Sequence, residues 1–136
     1  MTFKNLSGWL RRRPLIALAA VAALSWGSAQ AAREVLEIHR ADTLRALVAK
    51  PASLRMLSSN TCTNCEFAHA WLTEHRIPFE MCTIETDAAC RAEFEQRRAI
   101  GTPTFVLGNG EVQQVQLGFQ VKNLIAALQA EAARTP

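Results

Sequence analysis

No aspartate or glutamate occurs before Glu34, although the 136-residue chain holds 12 of them. The same opening stretch carries Lys4, Arg11, Arg12 and Arg13, four of the 15 basic residues. From Ala32 onward, eleven basic residues face twelve acidic ones, a net charge of −1. The pI near 8.9 therefore describes the N-terminus alone, and a nucleic-acid partner is not expected. The chain also lacks internal repeats and low-complexity tracts, and its composition is that of a globular protein, 49% hydrophobic and 20% charged. Its length leaves room for one domain plus a targeting segment, not for two domains.

The N-terminus has the three parts of an export signal: a basic stretch ending at Arg13, an apolar run from Leu15 to Trp26, and Ala29-Gln30-Ala31 at a cleavage position. The rival reading is an uncleaved anchor, because residues 14 to 32 are an uncharged stretch of nineteen, close to the roughly 20 that a spanning helix needs. In both readings the arginines stay cytoplasmic and the rest faces outward. The expected organisation is a signal peptide or signal anchor over 1–31, a helical lead-in over 32–52 and a domain over 53–136. The expected location is the periplasm, either soluble after cleavage or tethered to the inner membrane. Cys62, Cys65, Cys82 and Cys90 then all lie where disulfides form and persist, with three connectivities open to them.

Residues 33 to 40 alternate weakly through Val35, Leu36 and Ile38 and read as a short strand or as the exit from the apolar segment. Asp42 is placed to cap a helix through Leu44, Leu47 and Val48 that Pro51 ends. Ser53 to Ser58 reads as a strand, and the polar loop Ser59-Asn60-Thr61 delivers Cys62 to a helix with Phe67, Ala68, Trp71 and Leu72 on one face, stopping before Pro78. Phe79 to Ile84 alternates as a strand, and Asp87 caps a helix reaching about Ala99. Gly101-Thr102-Pro103 leads into a strand, Thr104 to Leu107, and Gly108-Asn109-Gly110 signals a hairpin. Val112 to Leu117 returns, Gly118 closes it, and Val121, Leu124, Ile125 and Leu128 mark a last amphipathic helix. Trp71, Phe79, Phe94 and Phe105 read as core. The order predicts an α/β fold with a mixed sheet of about four strands and helices on both faces.

The Cys62-Thr63-Asn64-Cys65 spacing closes a small disulfide ring when its first cysteine starts a helix. Free backbone N–H groups and the helix dipole favour negative charge there, which makes Cys62 the expected thiolate nucleophile. Cys65, one turn in and more buried, is the expected resolving thiol. A CxxC is also half of many zinc sites, but no second CxxC or His pair follows at finger spacing, so no metal is expected. His69 reads as a solvated side chain. A purely structural Cys62–Cys65 disulfide and metal handling through the two thiolates remain the alternatives.

Pro103 opens a strand 41 residues past Cys62. With Cys62-x-x-Cys65, Ile77-Pro78-Phe79, Thr102-Pro103 and the late Gly118, the chain from about Ser53 to Leu128 resembles the thioredoxin superfamily, and within it the glutaredoxin-like branch. The resemblance implies a cis Thr102–Pro103 bond whose Thr102 backbone pairs with bound peptide or glutathione. It makes Pro103 part of the catalytic set and Thr63, Asn64 and Gly118 substrate-contact positions. The residues between the cysteines, Thr63-Asn64, differ from the glutaredoxin Pro-Tyr, and Phe119-Gln120 follow Gly118 where glutaredoxins carry Gly and Asp. The implied activity is thiol–disulfide exchange with protein or low-molecular-weight thiols, with no cofactor and with glutathione as a candidate co-substrate. A non-catalytic binding module is the rival from another class. Cys82 and Cys90 are the candidate structural disulfide, with unpaired thiols or a second exchange site as alternatives.

Overall fold

A backbone without glycine or proline from Ser28 to Leu47, rich in Ala, Glu, Leu and Arg, has every reason to stay helical. In the computed structural model, which describes residues 6–48, 53–108 and 114–133, it does. The first helix, α1, runs from Leu6 to Leu47. The strand read into residues 33 to 40 is therefore overturned: local helix propensity wins over a weak alternation, and Val35, Leu36 and Ile38 stay exposed. Asp42 is likewise no cap. The chain is already helical there, so its carboxylate instead accepts a 2.6 Å hydrogen bond from Arg45. Lys4, the Pro51 stop, the Asn109-Gly110 turn and the first residues of the return strand lie outside the described residues. Among those described, no helix is long and apolar enough to cross a membrane.

The chain divides into two units, residues 1–38 and 39–136. The second contains β1 (Leu54–Ser58), α2 (Thr63–Glu74), β2 (Glu80–Thr83), α3 (Ala88–Gln96), β3 (Thr104–Leu107), β4 (Gln114–Leu117) and α4 (Val121–Ala132). The strands lie in the order β2-β1-β3-β4, with β1 and β2 parallel and the other two pairs antiparallel. This is the mixed four-stranded sheet that the sequence predicts.

Alternation along the strands sorts side chains between two cores. Leu54 and Met56 of β1, with Phe105 and Leu107 of β3, face a cluster completed by Leu44 and Val48, by Ala68 and Leu72 of α2, and by Leu124 and Leu128 of α4. Leu57 and Val106 face the other side, where Cys90 and Phe94 of α3 cover them. Helices therefore flank both faces. Each fully buried Leu or Phe contributes roughly 1.5–3 kcal/mol by leaving water. Phe67 departs from the expected core face of α2: it is 63% exposed, touching Phe119 edge-on at 6.0 Å.

Both α2 and α3 end in the same device. Arg76 and Arg98 adopt φ of 53°. Ile77 N–H then bonds Leu72 O and Arg76 N–H bonds Thr73 O; Ala99 N–H and Arg98 N–H repeat this on Phe94 O and Glu95 O. This stops α3 at Gln96 rather than near Ala99. Arginine in a position that favours glycine left no signal of the stop.

Candidate functional site

The register brings four separate segments to one end of the sheet. Leu57 pairs with Thr104 across the antiparallel β1–β3 ladder, so the loop leaving β1 lies beside Thr102-Pro103 entering β3. Thr104 also pairs with Leu117, which places Gly118 at that end, and Ser58 pairs with Thr83, which adds the loop leaving β2. Cys62 and Pro103, far apart in sequence, meet this edge from opposite chain directions.

Cys62 is the N-cap of α2, with φ −97° and ψ 94°. Its main-chain oxygen accepts from Cys65 N–H at 2.9 Å and Glu66 N–H at 3.2 Å, and its Sγ accepts from Cys65 N–H at 3.0 Å. That hydrogen bond and the positive end of the helix favour a thiolate at Cys62 once the ring is reduced. Here the ring is closed, with Sγ–Sγ 2.06 Å and Cα–Cα 5.2 Å. The two sulfurs are unequal: Cys62 is half-buried, whereas Cys65 is 3% exposed. Thr63 and Asn64, between them, are exposed. Glu66 in the first turn suits the helix dipole but sets a negative charge near the sulfurs.

The Thr102–Pro103 bond is cis. Pro103 is buried and Thr102 half-buried. Pro103 O accepts from Gly118 N–H at 2.8 Å, and Gly101 O accepts from Thr104 Oγ1 at 2.6 Å. Gly118 has φ of +77°, a conformation in which a side chain is strained, so glycine suits the point where β4 closes on Pro103.

Cys82 and Cys90 form a second disulfide, with Cα–Cα 6.0 Å, that closes the loop between β2 and α3. Asp87 caps α3 as its position in the sequence predicts, accepting from Ala89 N–H at 2.8 Å and Cys90 N–H at 3.0 Å. Between Cys82 and Asp87 lies a residue that no sequence pattern singles out. Glu85 accepts from Ser59 Oγ at 2.6 Å and from Asn60 N–H at 3.2 Å. The Ser59 hydroxyl holds its carboxyl below the usual glutamate range, helped by main-chain N–H groups and Arg91 and opposed by slight desolvation. A lone glutamate after a strand carries no motif, so only the folded chain reveals it. Among the described residues no three His, Cys, Asp or Glu side chains converge as a metal site.

A mixed sheet in the order β2-β1-β3-β4, helices on both faces, a CxxC at the start of the helix after the central strand, and a cis-proline entering the neighbouring strand constitute a thioredoxin-like fold. Fold and site together define a protein of thiol–disulfide redox chemistry. No protein-family profile matches the chain, and no curated protein matches it. Among solved structures it is similar to the thioredoxin-like protein BC3987, at 25% identity over 54% of this chain and 97% of that one, with a TM-score of 0.45. It is similar to oxidized mitochondrial thioredoxin 3 from Saccharomyces cerevisiae at 13% identity over 65% and 87% of the two chains, TM-score 0.45. It is also similar to Chlamydomonas reinhardtii thioredoxin f2 at 17% over 67% and 91%, TM-score 0.43.

Proposed function

We propose that the chain is an exported dithiol–disulfide oxidoreductase that exchanges disulfides with protein or low-molecular-weight thiols through Cys62 and Cys65. The observation that carries this reading is the inequality of the two sulfurs at one helix start, one half-buried and hydrogen-bonded, the other enclosed. The first can be reached by a partner's disulfide, and the second can reach only its neighbour. Cys62 thiolate attacks a partner sulfur, and Cys65 then resolves the mixed disulfide. Thr102, Pro103 and Gly118 border the place where the partner chain must lie, with Thr63 and Asn64 on the exposed rim. Export, by cleavage after Ala31 or by an anchored N-terminus, is supported by the basic-then-apolar start of the chain.

Reduction of insulin disulfides by the reduced protein tests the activity, and parallel assays with glutathione or with a thioredoxin-reductase system as reductant separate the two kinds of electron donor. Turnover that vanishes in Cys62→Ser is the expected result, and a protein inert toward every disulfide overturns the reading. Fractionation decides the location: mature protein beginning at Ala32 in the periplasmic fraction, or full-length protein with membranes, agrees with export, whereas full-length protein in the cytosol refutes it.

A further inference from the structure

Resolution by Cys65 requires its proton to leave, and the exchange described above provides no acceptor. Cys65 as a whole is 3% exposed, and a thiol held away from water resists ionisation. The strand leading into the site presents Met56 and Leu54 to the α2 side, neither of which takes a proton.

Cys65 does border a cleft of about 310 Å3, lined also by Glu66 and His69 of α2, Ser59 and Asn60 of the loop, and Met81 of β2. We infer that His69 accepts the Cys65 proton across this cleft. His69 lies four residues past Cys65, one turn further along the same side of α2. His69 is exposed at the rim of the cleft, as its sequence position leads one to expect, and its ring stands edge-on against Phe79 with centroids 5.7 Å apart. Imidazole exchanges protons nearer neutrality than any other side chain, which suits a group that must take a proton and return it. The cleft is polar on the loop side and large enough for a bridging water.

The inference rests on the dithiol exchange proposed above. The Cys65 S–H proton passes to His69, and the sulfur lone pair attacks Cys62 Sγ. The Cys62–Cys65 bond forms as the bond from Cys62 to the partner sulfur breaks. The partner leaves with that electron pair, reduced, and gains a proton from the imidazolium or from water. Around His69 the charged neighbour within the cleft is Glu66; β2 and its approach bring Phe79, Met81 and Thr83, the end of β1 brings Ser58, and the loop brings Ser59 and Asn60, all uncharged. Glu85, behind the loop, is occupied by Ser59 and Asn60, and Arg91 by the main-chain oxygens of Ile84 and Glu85.

Rapid mixing of the reduced protein with 5,5′-dithiobis(2-nitrobenzoate) separates the two steps. Attack by Cys62 releases one coloured thiolate, and attack by Cys65 on the resulting mixed disulfide releases the second. In His69→Gln the first phase should stay within about twofold. The second should slow at least about tenfold, a conservative figure beside the roughly 10²-fold of general-base catalysis. Its pH midpoint should move up toward or beyond the free-thiol value of about 8.5. Glu66→Gln removes a negative charge near the sulfurs and should slow neither phase. A second phase in His69→Gln with the parent's rate and pH profile overturns the inference, as does slowing in Glu66→Gln alone. A parent that shows no second phase refutes the dithiol exchange itself.

Discussion

Ser59 Oγ donates to Glu85 Oε1 at 2.6 Å, and through this bond the loop after β2 holds the loop that delivers Cys62. The neighbouring Asn60 N–H reaches the second carboxylate oxygen. Two connections adjacent at one end of a parallel strand pair are thereby joined by a side chain that belongs to neither helix cap nor core.

The clamp should be sensitive to acid in a defined direction. Glu85 titrates below the ordinary glutamate range in the folded chain, first because of Ser59. A carboxyl with a lowered folded value stabilises the native state fully above its unfolded value and loses that contribution as pH falls through the lower one. The Asn60 amide, followed by NMR during acid titration, should shift with a midpoint below that range and be unchanged at neutral pH. Glu85→Gln should abolish this transition and speed hydrogen exchange at Asn60. A parent midpoint above the ordinary range refutes the assignment.

The CxxC sulfurs should behave unequally in solution. Alkylation of the reduced protein should strike Cys62 first, with an absorbance-detected thiolate midpoint below about 8.5. Cys65→Ser should accumulate mixed disulfides on non-reducing gels, whereas Cys62→Ser should accumulate none. Equal alkylation rates at the two positions count against the buried and accessible roles.

Removing the second disulfide should cost stability and spare the chemistry. Cys82 and Cys90 are eight residues apart. Closure of so short a loop contributes roughly 2–3 kcal/mol by the chain-entropy estimate. A Cys82→Ser, Cys90→Ala protein should melt at least about 8 °C lower, as expected for a domain near 100 residues. Its Cys62 should keep the parent's alkylation rate at temperatures where it remains folded. Loss of that reactivity in the folded protein would mean the second pair takes part in exchange.

Two phenylalanines should respond oppositely to truncation. Phe105 is fully buried in the cluster that residues of α2 and α4 complete, so Phe105→Ala should cost about 3–5 kcal/mol in denaturant unfolding. Phe67, mostly exposed, should lose less than about 0.5 kcal/mol on the same substitution. Comparable losses at both would place Phe67 in the core, as its helical spacing suggests and the fold does not.

Much of this protein is legible in short runs of its own residues. CxxC at a helix start, Asp87 ahead of a helix, Thr102-Pro103 ahead of a strand and Gly118 after one are rules of a few adjacent positions, and strand alternation sorts Leu54, Met56 and Phe105 without tertiary information. Where such rules fail, the deciding interaction is either weak or distant. Residues 33 to 40 alternate faintly, and continuous helix propensity settles them. Arg76 and Arg98 end helices in a conformation that sequence assigns to glycine. Phe67 has the period of a core residue, but whether a helix face is covered depends on what packs over it. Strand order is beyond local rules altogether. The pairing of Leu57 with Thr104, and of Ser58 with Thr83, collects Cys62, Pro103, Gly118 and Glu85 at one edge. Proximity between residues tens of positions apart is a property of register, and register is decided by the packed sheet.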